Sequence, residues 1–480
     1  MIRNIKYAYF IGVGGIGMSA IARYFNAIGI EVSGYDKTPT SLTDSLVKEG
    51  IRIHFNDDVN LVKELFELLP KNEILVVITP AIPKNHEEYN YFLNNNFEIR
   101  KRSEVLGMIT KSTYTAAVAG THGKTTTSTI LTHILKSSGY DVTAFLGGIA
   151  KNYNNNFIAG SEFSNDSAEN SRLKFKMDVL SPTVVEADEY DRSFLTLHPD
   201  VAIVTSVDPD HLDIYGNDEQ LKESFKLFTS QVKPRGALIS KLGLNYELAS
   251  NEDVKIYHYA LQTQADFFAY DIKIEEGKYK FHVNSCIENI NDICLGLPGL
   301  HNVENAVSAI AAAQIMGVLP IDIKKALKSF TGVNRRFDYR INTENLVYID
   351  DYAHHPEEIK ACLNSIRQLY PTKKITGIFQ PHLYSRTRDF AKGFSESLSL
   401  LDEVILMEIY PARELPIQGV NSAMLLNDIK CKQKQILQNN QILDYLKLNQ
   451  PEVLVTIGAG DIDQLVSPIE NLFKHVMANE

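Results

Sequence analysis

The run Ala119-Gly120-Thr121-His122-Gly123-Lys124-Thr125-Thr126-Thr127 carries the residue types that bind and split a nucleoside triphosphate. Its glycines let backbone N–H groups turn toward phosphate oxygens, and a helix N-terminus behind them adds partial positive charge. Lys124 is placed to reach the β- and γ-phosphates, and the Thr125 hydroxyl is a ligand for Mg2+. An apolar β-type run, Tyr114 to Val118, precedes the loop, and a helix-like run, Thr126 to Leu135, follows it. The common form of such a loop has its first glycine where this chain has Val118, so the match is to a shorter form, Gly-Thr-His-Gly-Lys-Thr. The competing reading, a glycine-rich turn with a surface lysine, leaves the flanking strand and helix unexplained.

Two acidic clusters follow. Glu186-Ala187-Asp188-Glu189 ends an apolar run from Thr183, and Asp208-Pro209-Asp210-His211-Leu212-Asp213 follows another, Val201 to Val207. Carboxylates at strand C-termini sit where α/β sheets bind ligands. Beside a triphosphate they hold Mg2+ directly or through water. His211 could ligate a second cation or contact a transferring phosphoryl group; the alternative is a turn of solvated charges.

A second glycine pattern, Gly12-Val13-Gly14-Gly15-Ile16-Gly17, lies between a strand-like run, Tyr7 to Val13, and a helical one, Met18 to Ile28. A further strand, Glu31 to Tyr35, ends at Asp36. That context fits NAD(P), or any diphosphate on a helix N-terminus, a UDP-sugar included. A tight turn made only for packing is the third possibility. His301-Asn302 opens a helical run, Val303 to Met316, where Asn is also a favoured cap. Arg335 and Arg336, in Gly332-Val333-Asn334-Arg335-Arg336-Phe337-Asp338, suit bidentate contact with phosphate oxygens or ordinary salt bridging. Asp350-Asp351-Tyr352-Ala353-His354-His355-Pro356 and Gln380-Pro381-His382-Leu383-Tyr384-Ser385-Arg386-Thr387-Arg388-Asp389 are polar clusters after successive strands, able to hold a carboxylate and an amine.

The elements that must position these groups alternate strand and helix throughout. The expected fold class is α/β in three domains: a Rossmann-like domain over 1–110, a central phosphate-loop domain over 111–331 and a second Rossmann-like α/β domain over 332–480. Strands are expected at Ile74 to Thr79, Leu346 to Asp350, Ile375 to Phe379, Glu403 to Met407 and Val453 to Ile457, with a helix over Leu221 to Gln231 and a hairpin over Asp271 to Ser285. Asn152 to Lys176, rich in Asn, Ser and charge, reads as an exposed excursion. A length of 480 residues suits three domains, and 44% hydrophobic residues suffice for their cores. A net charge of −11 argues against nucleic acid or an anionic membrane as the main partner. Cys286, Cys294, Cys362 and Cys431 have neither CxxC spacing nor a zinc-like cluster, as expected in a reducing compartment. No apolar stretch is long enough to span a bilayer, and the reading is a cytoplasmic protein, monomer or homodimer.

Together these residues resemble the Mur ligase family of peptidoglycan synthesis, from Gly12 to Gly460. The carriers are Gly-Val-Gly-Gly-Ile-Gly-Met-Ser, Ala-Gly-Thr-His-Gly-Lys-Thr-Thr-Thr, Glu-Ala-Asp-Glu, Asp-His-Leu-Asp, Gly-Leu-His-Asn, Arg-Arg-Phe-Asp, Asp-Asp-Tyr-Ala-His-His-Pro and Gln-Pro-His-Leu-Tyr-Ser-Arg-Thr-Arg-Asp, in that order. The resemblance implies an ATP- and Mg2+-dependent ligase. ATP phosphorylates the lactyl carboxylate of UDP-N-acetylmuramate, the L-alanine amine attacks the acyl phosphate, and the amide, ADP and phosphate are released.

It also implies roles. Gly12, Gly14, Gly15, Ile16 and Gly17, with Asp36 and Thr79, take the UDP-sugar. Gly120, Thr121, His122, Gly123, Lys124, Thr125 and Thr126 take ATP, with His301 and Asn302 at the adenine and Arg335 at the phosphates. Thr125, Glu186 and His211 hold metal. Tyr352, His354, His382 and Arg386 position the muramoyl carboxylate and the amino acid, and Asp351 orients the incoming amine or accepts its proton. Lys124, His211, Asp351, His354 and Arg386 form the catalytic set. The chain departs from the family pattern at Tyr190, at Leu383, in the turn Thr79-Pro80-Ala81-Ile82 and in the length of Asn152 to Lys176. The rival readings are a recycling ligase for a preformed tripeptide, a folylpolyglutamate synthetase, a UDP-sugar or NAD-linked oxidoreductase, and a non-catalytic UDP-muramate binding module.

Overall fold

The apolar runs form three mostly parallel sheets, and helices on the sheet faces account for their near-continuous hydrophobicity. The structure, a computed structural model, describes residues 4–66, 69–80, 82–160, 181–210, 212–244, 246–412 and 414–479. The first sheet holds β1 (Tyr7–Ile11), β2 (Glu31–Tyr35), β3 (Arg52–His54), β4 (Ile74–Ile78) and β5 (Glu98–Lys101), all parallel, in the order β3-β2-β1-β4-β5. Ile11 pairs with both Tyr35 and Ile78, so the chain leaves β1 into Gly12 at the point where strand order reverses. Such a switch point is where open α/β sheets take ligands.

The second sheet comprises β6 (Thr115–Ala119), β7 (Thr143–Ala150), β8 (Asn155–Ile158), β9 (Thr183–Glu186), β10 (Val201–Val204), β11 (Ala237–Lys241), β12 (Lys255–Leu261), β13 (Phe267–Glu275), β14 (Lys278–Ser285) and β15 (Ile290–Leu295). Their order is β15-β14-β13-β12-β11-β10-β6-β9-β7-β8. The phosphate-loop strand β6 is thus flanked by β9, which ends at Glu186 of the first acidic cluster, and by β10, which leads toward the second. The third sheet holds β16 (Asp338–Asn342), β17 (Val347–Asp351), β18 (Ile375–Phe379), β19 (Glu403–Leu406), β20 (Gln433–Ile436) and β21 (Val453–Ile457), ordered β16-β17-β21-β18-β19-β20 with β16 alone antiparallel.

The chain divides into two compact units. The first comprises 1–270, 282–293 and 305–330; the second comprises 271–281, 294–304 and 331–480. Within the first unit one apolar core runs from the first sheet (Phe10, Phe25, Val77) into the second (Ala117, Phe145, Val185, Ala202). The second unit has a core on each face of its sheet. Among the described residues no helix is long and apolar enough to cross a membrane.

Several expected elements shift. The glycine-loop helix runs Ile16–Ala27 and the phosphate-loop helix Lys124–Ser137, each beginning two residues earlier than its apolar pattern suggested. β10 stops at Val204, because Thr205 and Ser206 turn their hydroxyls into the phosphate loop. The segment read as an excursion from Asn152 contains β8, which pairs antiparallel with β7 (Ala144↔Ile158, Phe145↔Phe157) and buries Asn156, Phe157 and Ile158. Residues 161–176 of that segment lie outside the described residues.

Candidate functional site

The first unit holds two phosphate-type loops, each at the head of a helix that follows a buried strand. In the earlier one Gly12 has φ +89, and a Cβ there would come within 2.7 Å of Thr79 Cγ2, so Gly12 and Thr79 are neighbours. The Gly12 and Val13 N–H groups donate to the Tyr35 carbonyl. The Gly14 N–H donates to Asp36 Oδ2 at 2.7 Å, which makes Asp36 a brace of the loop. Gly15 is the extended N-cap of the helix Ile16–Ala27 and supplies no side-chain cap, so the first-turn N–H groups stay available to an anion. Ile16 is exposed. The loop has no basic side chain of its own. The guanidinium of Arg102 lies over Gly17, its Nη1 being 2.8 Å from where a Cβ would sit, and its Nη2 holds Asp188 Oδ2 at 3.2 Å. Nothing local in the sequence signals this, since Arg102 arrives from the start of another helix, Arg102–Thr110.

The later loop is more tightly built. Gly120 has φ +130 and Gly123 φ +82; a Cβ would meet Thr205 Oγ1 at 2.0 Å and Asn305 Oδ1 at 2.5 Å respectively. The Thr121 hydroxyl hydrogen-bonds Ser206 Oγ at 2.8 Å, the His122 N–H donates to Ser206 Oγ at 2.9 Å, and Thr205 Oγ1 donates to the His122 carbonyl. Thr125 and Thr126 are buried in the first helical turn. Lys124 Nζ donates to the carbonyls of Gly120 (2.6 Å) and Thr121 (3.3 Å), and pairs with Glu189 at 2.8 Å. Burial alone would lower the Lys124 pKa; Glu189, Glu186 and Asp188 outweigh it and push the ammonium up to about 12, so Lys124 is a fixed cation. Glu189 belongs to the acidic cluster that the sequence sets beside this loop, but its pairing with Lys124 and the approach of Asn305 to Gly123 have no local signal, because those contacts are tertiary.

Glu186 ends β9 and accepts the Gly147 N–H of β7 at 3.0 Å. A Cβ on Gly147 would fall 2.1 Å from Glu186 Oε2, so only glycine leaves that carboxylate its place. Asp191 and Arg192, just after Glu189, both have positive φ, 53° and 54°, and Tyr215 donates its hydroxyl to the Glu189 carbonyl. Backbone strain of this kind clusters at functional sites. His211 lies outside the described residues.

The second unit gathers the other cluster. The helix Leu300–Ile315 begins before His301, so Asn302 is in its first turn rather than its cap, and its amide donates to the Pro298 carbonyl at 2.6 Å. His301 Nδ1 lies 3.2 Å from Ser365 Oγ; burial, helped by the Arg336 cation, pushes its pKa down to about 4 and keeps the ring neutral. Arg335 (φ +61) donates to Asp350 Oδ2 at 3.0 Å and to the Gly458 carbonyl at 2.7 Å. Arg335 and Arg336 place their guanidiniums 5.3 and 5.0 Å from the Tyr352 ring centroid. Asp351 is buried, and its two oxygens accept the N–H groups of Phe337 (2.7 Å) and Ala353 (2.8 Å). Desolvation raises its pKa to about 6 despite Arg336 and those amides. His354 Nδ1 lies 3.0 Å from the Tyr352 carbonyl, and its ring contacts those of Tyr352 and His382. His382 stacks on Tyr410 at 5.7 Å, and Arg386 is buried in the short helix Tyr384–Asp389. Tyr352, His354 and His382 therefore form one group in the second unit, with Asp351 and Arg335 fixed behind it.

Family models match nearly the full length: "Mur ligase family, catalytic domain" over 7–114, "Mur ligase middle domain" over 118–313 and "Mur ligase, glutamate ligase domain" over 335–460. A UDP-N-acetylmuramate–L-alanine ligase of Flavobacterium johnsoniae is 50% identical over 471 residues, 98% of each chain. The crystal structure of the UDP-N-acetylmuramate–alanine ligase MurC of Thermotoga maritima superposes with a TM-score of 0.79 at 26% identity, covering 98% of this chain and 99% of that one. A MurF ligase of Thermotoga maritima in complex with ADP shares the fold, with a TM-score of 0.58 at 16% identity over 85% of this chain and 98% of that one.

Proposed function

The chain belongs to the Mur ligase family and ligates L-alanine to UDP-N-acetylmuramate with ATP in peptidoglycan synthesis, and we propose that the lactyl carboxylate passes through an acyl phosphate on the way. A carboxylate is a poor acyl donor because oxide is a poor leaving group. Attack of the carboxylate oxygen on the γ-phosphorus expels ADP and leaves a carbonyl whose leaving group is phosphate. The alanine amine, having lost a proton, then adds to that carbonyl. The tetrahedral intermediate breaks its C–O bond to phosphate, and the amide remains. The first step brings two anions together and the second builds negative charge on the tetrahedral oxygen, so fixed cations and aimed N–H groups carry most of the catalysis.

The observation that carries this reading is Lys124 in its loop: a permanently charged ammonium, already desolvated, beside backbone N–H groups at a helix head. We assign it to the β- and γ-phosphates. Its carbonyl and Glu189 contacts hold it there until phosphate oxygens replace them. The Gly12–Gly17 loop takes the diphosphate of the UDP-sugar on its first-turn N–H groups, and Arg102 supplies the cation that loop lacks. Thr125 and Glu186 would hold Mg2+, a hydroxyl and a carboxylate being the oxygen donors that suit it. When bound there the ion would neutralise charge on the transferring phosphoryl group.

In the second unit we assign Asp351 to orient the incoming amine or accept its proton: its two oxygens hold the Phe337 and Ala353 amides, and desolvation raises its pKa to about 6. It fixes the turn that presents Tyr352 and His354. The His354 Nδ1 contact with a carbonyl places the ring proton on Nδ1 and the lone pair on Nε2, so His354 is a second group able to take the amine proton. Tyr352, His382 and Arg386 position the carboxylate and the amino acid; His301 and Asn302 meet the adenine, and Arg335 the ATP phosphates. We place the domain boundaries near 110 and 331, and the enzyme in the cytoplasm as a monomer or homodimer.

The test is phosphate release from Mg-ATP and UDP-N-acetylmuramate with L-alanine, glycine, L-serine or the L-Ala-γ-D-Glu-diaminopimelate tripeptide. Turnover with L-alanine well above the other three is expected. Preference for the tripeptide would mark a recycling ligase and overturn the reading.

A further inference from the structure

We propose that Asn156 is a positioning residue, through which the β7–β8 hairpin fixes the diphosphate-binding helix against the ATP side of the first unit. The proposal rests on the assignment of the Gly12–Gly17 loop to the UDP-sugar.

Asn156 lies on β8, and its side chain is fully buried. Its surroundings include an aromatic cluster: Phe157 is 5.3 Å from Phe145, and Tyr24, on the glycine-loop helix, is 5.6 Å from Phe145 and 6.2 Å from Phe157. A primary amide in such a place is costly unless its polar groups are matched. They are matched by the helix Ile16–Ala27. Nδ2 donates to the Ile16 carbonyl at 2.6 Å and to Ser19 Oγ at 3.0 Å, and Ser19 Oγ donates in turn to the same carbonyl at 2.9 Å. Oδ1 accepts from Arg23 Nη1, whose guanidinium is held by both oxygens of Glu49 at 2.7 Å. One amide thus grips the first turn of the helix at Ile16 and Ser19 and the second at Arg23. Ser19, which closes the Gly-Val-Gly-Gly-Ile-Gly-Met-Ser pattern, takes no part in the assigned substrate contacts, and this grip gives it one.

The grip lies directly behind the groups that matter. The first-turn N–H donors that face an anion belong to the same turn whose Ile16 carbonyl Asn156 holds. A small rotation of that turn would swing every donor at once. The same hairpin, at Gly147, fixes Glu186 through an N–H bond of 3.0 Å. The two strands therefore hold the diphosphate helix by hydrogen bonds through Asn156, beside the packing of Phe145 and Phe157 on Tyr24, and hold the proposed metal carboxylate through Gly147. Joining needs the lactyl carboxylate to meet the γ-phosphate, so the spacing of the two nucleotides must be set by something rigid. A short, buried, hydrogen-bonded hairpin is suited to that.

Asn156→Asp tests this: the shape is kept and Oδ1 still faces the Arg23 cation, while the two donations to Ile16 and Ser19 give way to a carboxylate oxygen turned against the Ile16 carbonyl. Calorimetric titration with UDP-N-acetylmuramate in the absence of ATP should give a Kd about tenfold weaker than wild type. The Kd of ATP should stay within twofold, and the KM values should follow the same split. Asn156→Ser, which keeps a donor of shorter reach, should fall between. An unchanged Kd for UDP-N-acetylmuramate would overturn the proposal. So would equal losses for both nucleotides, because a merely structural residue would weaken both. Wild-type protein that binds ATP but not UDP-N-acetylmuramate would instead refute the assignment of the loop.

Discussion

The two glycine loops of the first unit have the same plan, strand to loop to helix, and differ in how much of their chemistry is local. The Gly120 loop contains its cation, Lys124, and is clamped on all sides by Thr205, Ser206, Asn305 and Glu189. The Gly12 loop has one positive-φ glycine, is braced by Asp36 and Thr79, and takes its cation from Arg102 on another helix. A site where charge moves during reaction needs a cation fixed to the moving group, whereas a site that only holds a diphosphate needs donors and nearby positive charge. The largest expected effect follows from that contrast. Lys124→Ala should cut kcat about a thousandfold, on the order of 4 kcal/mol of transition-state stabilisation. UDP-N-acetylmuramate affinity should stay within twofold in a calorimetric titration. Because the variant leaves buried Glu189 without its ammonium, Lys124→Ala/Glu189→Gln should recover thermal stability but not turnover. A single variant that weakens both ligands alike would erase the distinction between the loops.

The next effect tests the clamp. Gly120 is held at φ +130 with Thr205 Oγ1 where a Cβ would go. Gly120→Ala should lower stability by about 3 kcal/mol and abolish ATP binding, read by thermal melting with and without Mg-ATP. A melting temperature within about 2 °C of wild type, a shift expected from only about 1.3 kcal/mol in a unit of this size, would mean the loop relaxes more easily than its contacts imply.

What could be read from the sequence follows the same divide. Both loops were legible as strand–loop–helix units because their glycines fall at fixed local spacings, and Gly12, Gly14, Gly120, Gly123 and Lys124 each sit within such a short local pattern. The parallel sheets were legible because strands buried on both faces are apolar without interruption. Arg102, Asn305 and the Lys124–Glu189 pair were not, since each joins segments far apart in sequence. The Asn-rich stretch after Asn152 misled for a related reason: its composition suggested solvent, while Asn156 is polar and buried because the helix Ile16–Ala27 satisfies its amide. The roles of Arg335 and Asp351 were also under-determined, as their hydrogen bonds to the Gly458 carbonyl and to the Phe337 and Ala353 amides leave no trace in residue type.

Arg102→Ala should be milder than either change in the Gly120 loop. Its guanidinium is anchored to Asp188 and lies against Gly17, with no local role in the ATP loop. The Kd of UDP-N-acetylmuramate, and of UDP itself, should rise about tenfold, or roughly 1.4 kcal/mol, while that of uridine stays unchanged. Arg102→Lys should recover only part of the loss, because a single ammonium cannot replace the planar fork. Equal weakening of UDP and uridine would make Arg102 a packing residue and leave the Gly12 loop with no cation.

The smallest effect is expected at Gly15, and it separates what a glycine pattern marks from what the backbone requires. Gly15 has φ −66, an angle any residue adopts, and a Cβ would find its nearest atoms, the Gly12 carbonyl oxygen and Met18 Cγ, at 3.7 Å, in ordinary contact. Two small terms oppose each other in Gly15→Ala. Loss of unfolded-chain freedom stabilises by about 0.5 kcal/mol, and alanine is a poorer N-cap than glycine by a similar amount. The melting temperature should therefore hardly move, and UDP-N-acetylmuramate affinity should stay within about threefold. A tenfold loss of affinity at unchanged stability would show that the diphosphate approaches the backbone at Gly15 more closely than a methyl group permits. The Gly12 loop would then be as sterically exacting toward its ligand as the Gly120 loop is toward its own protein neighbours.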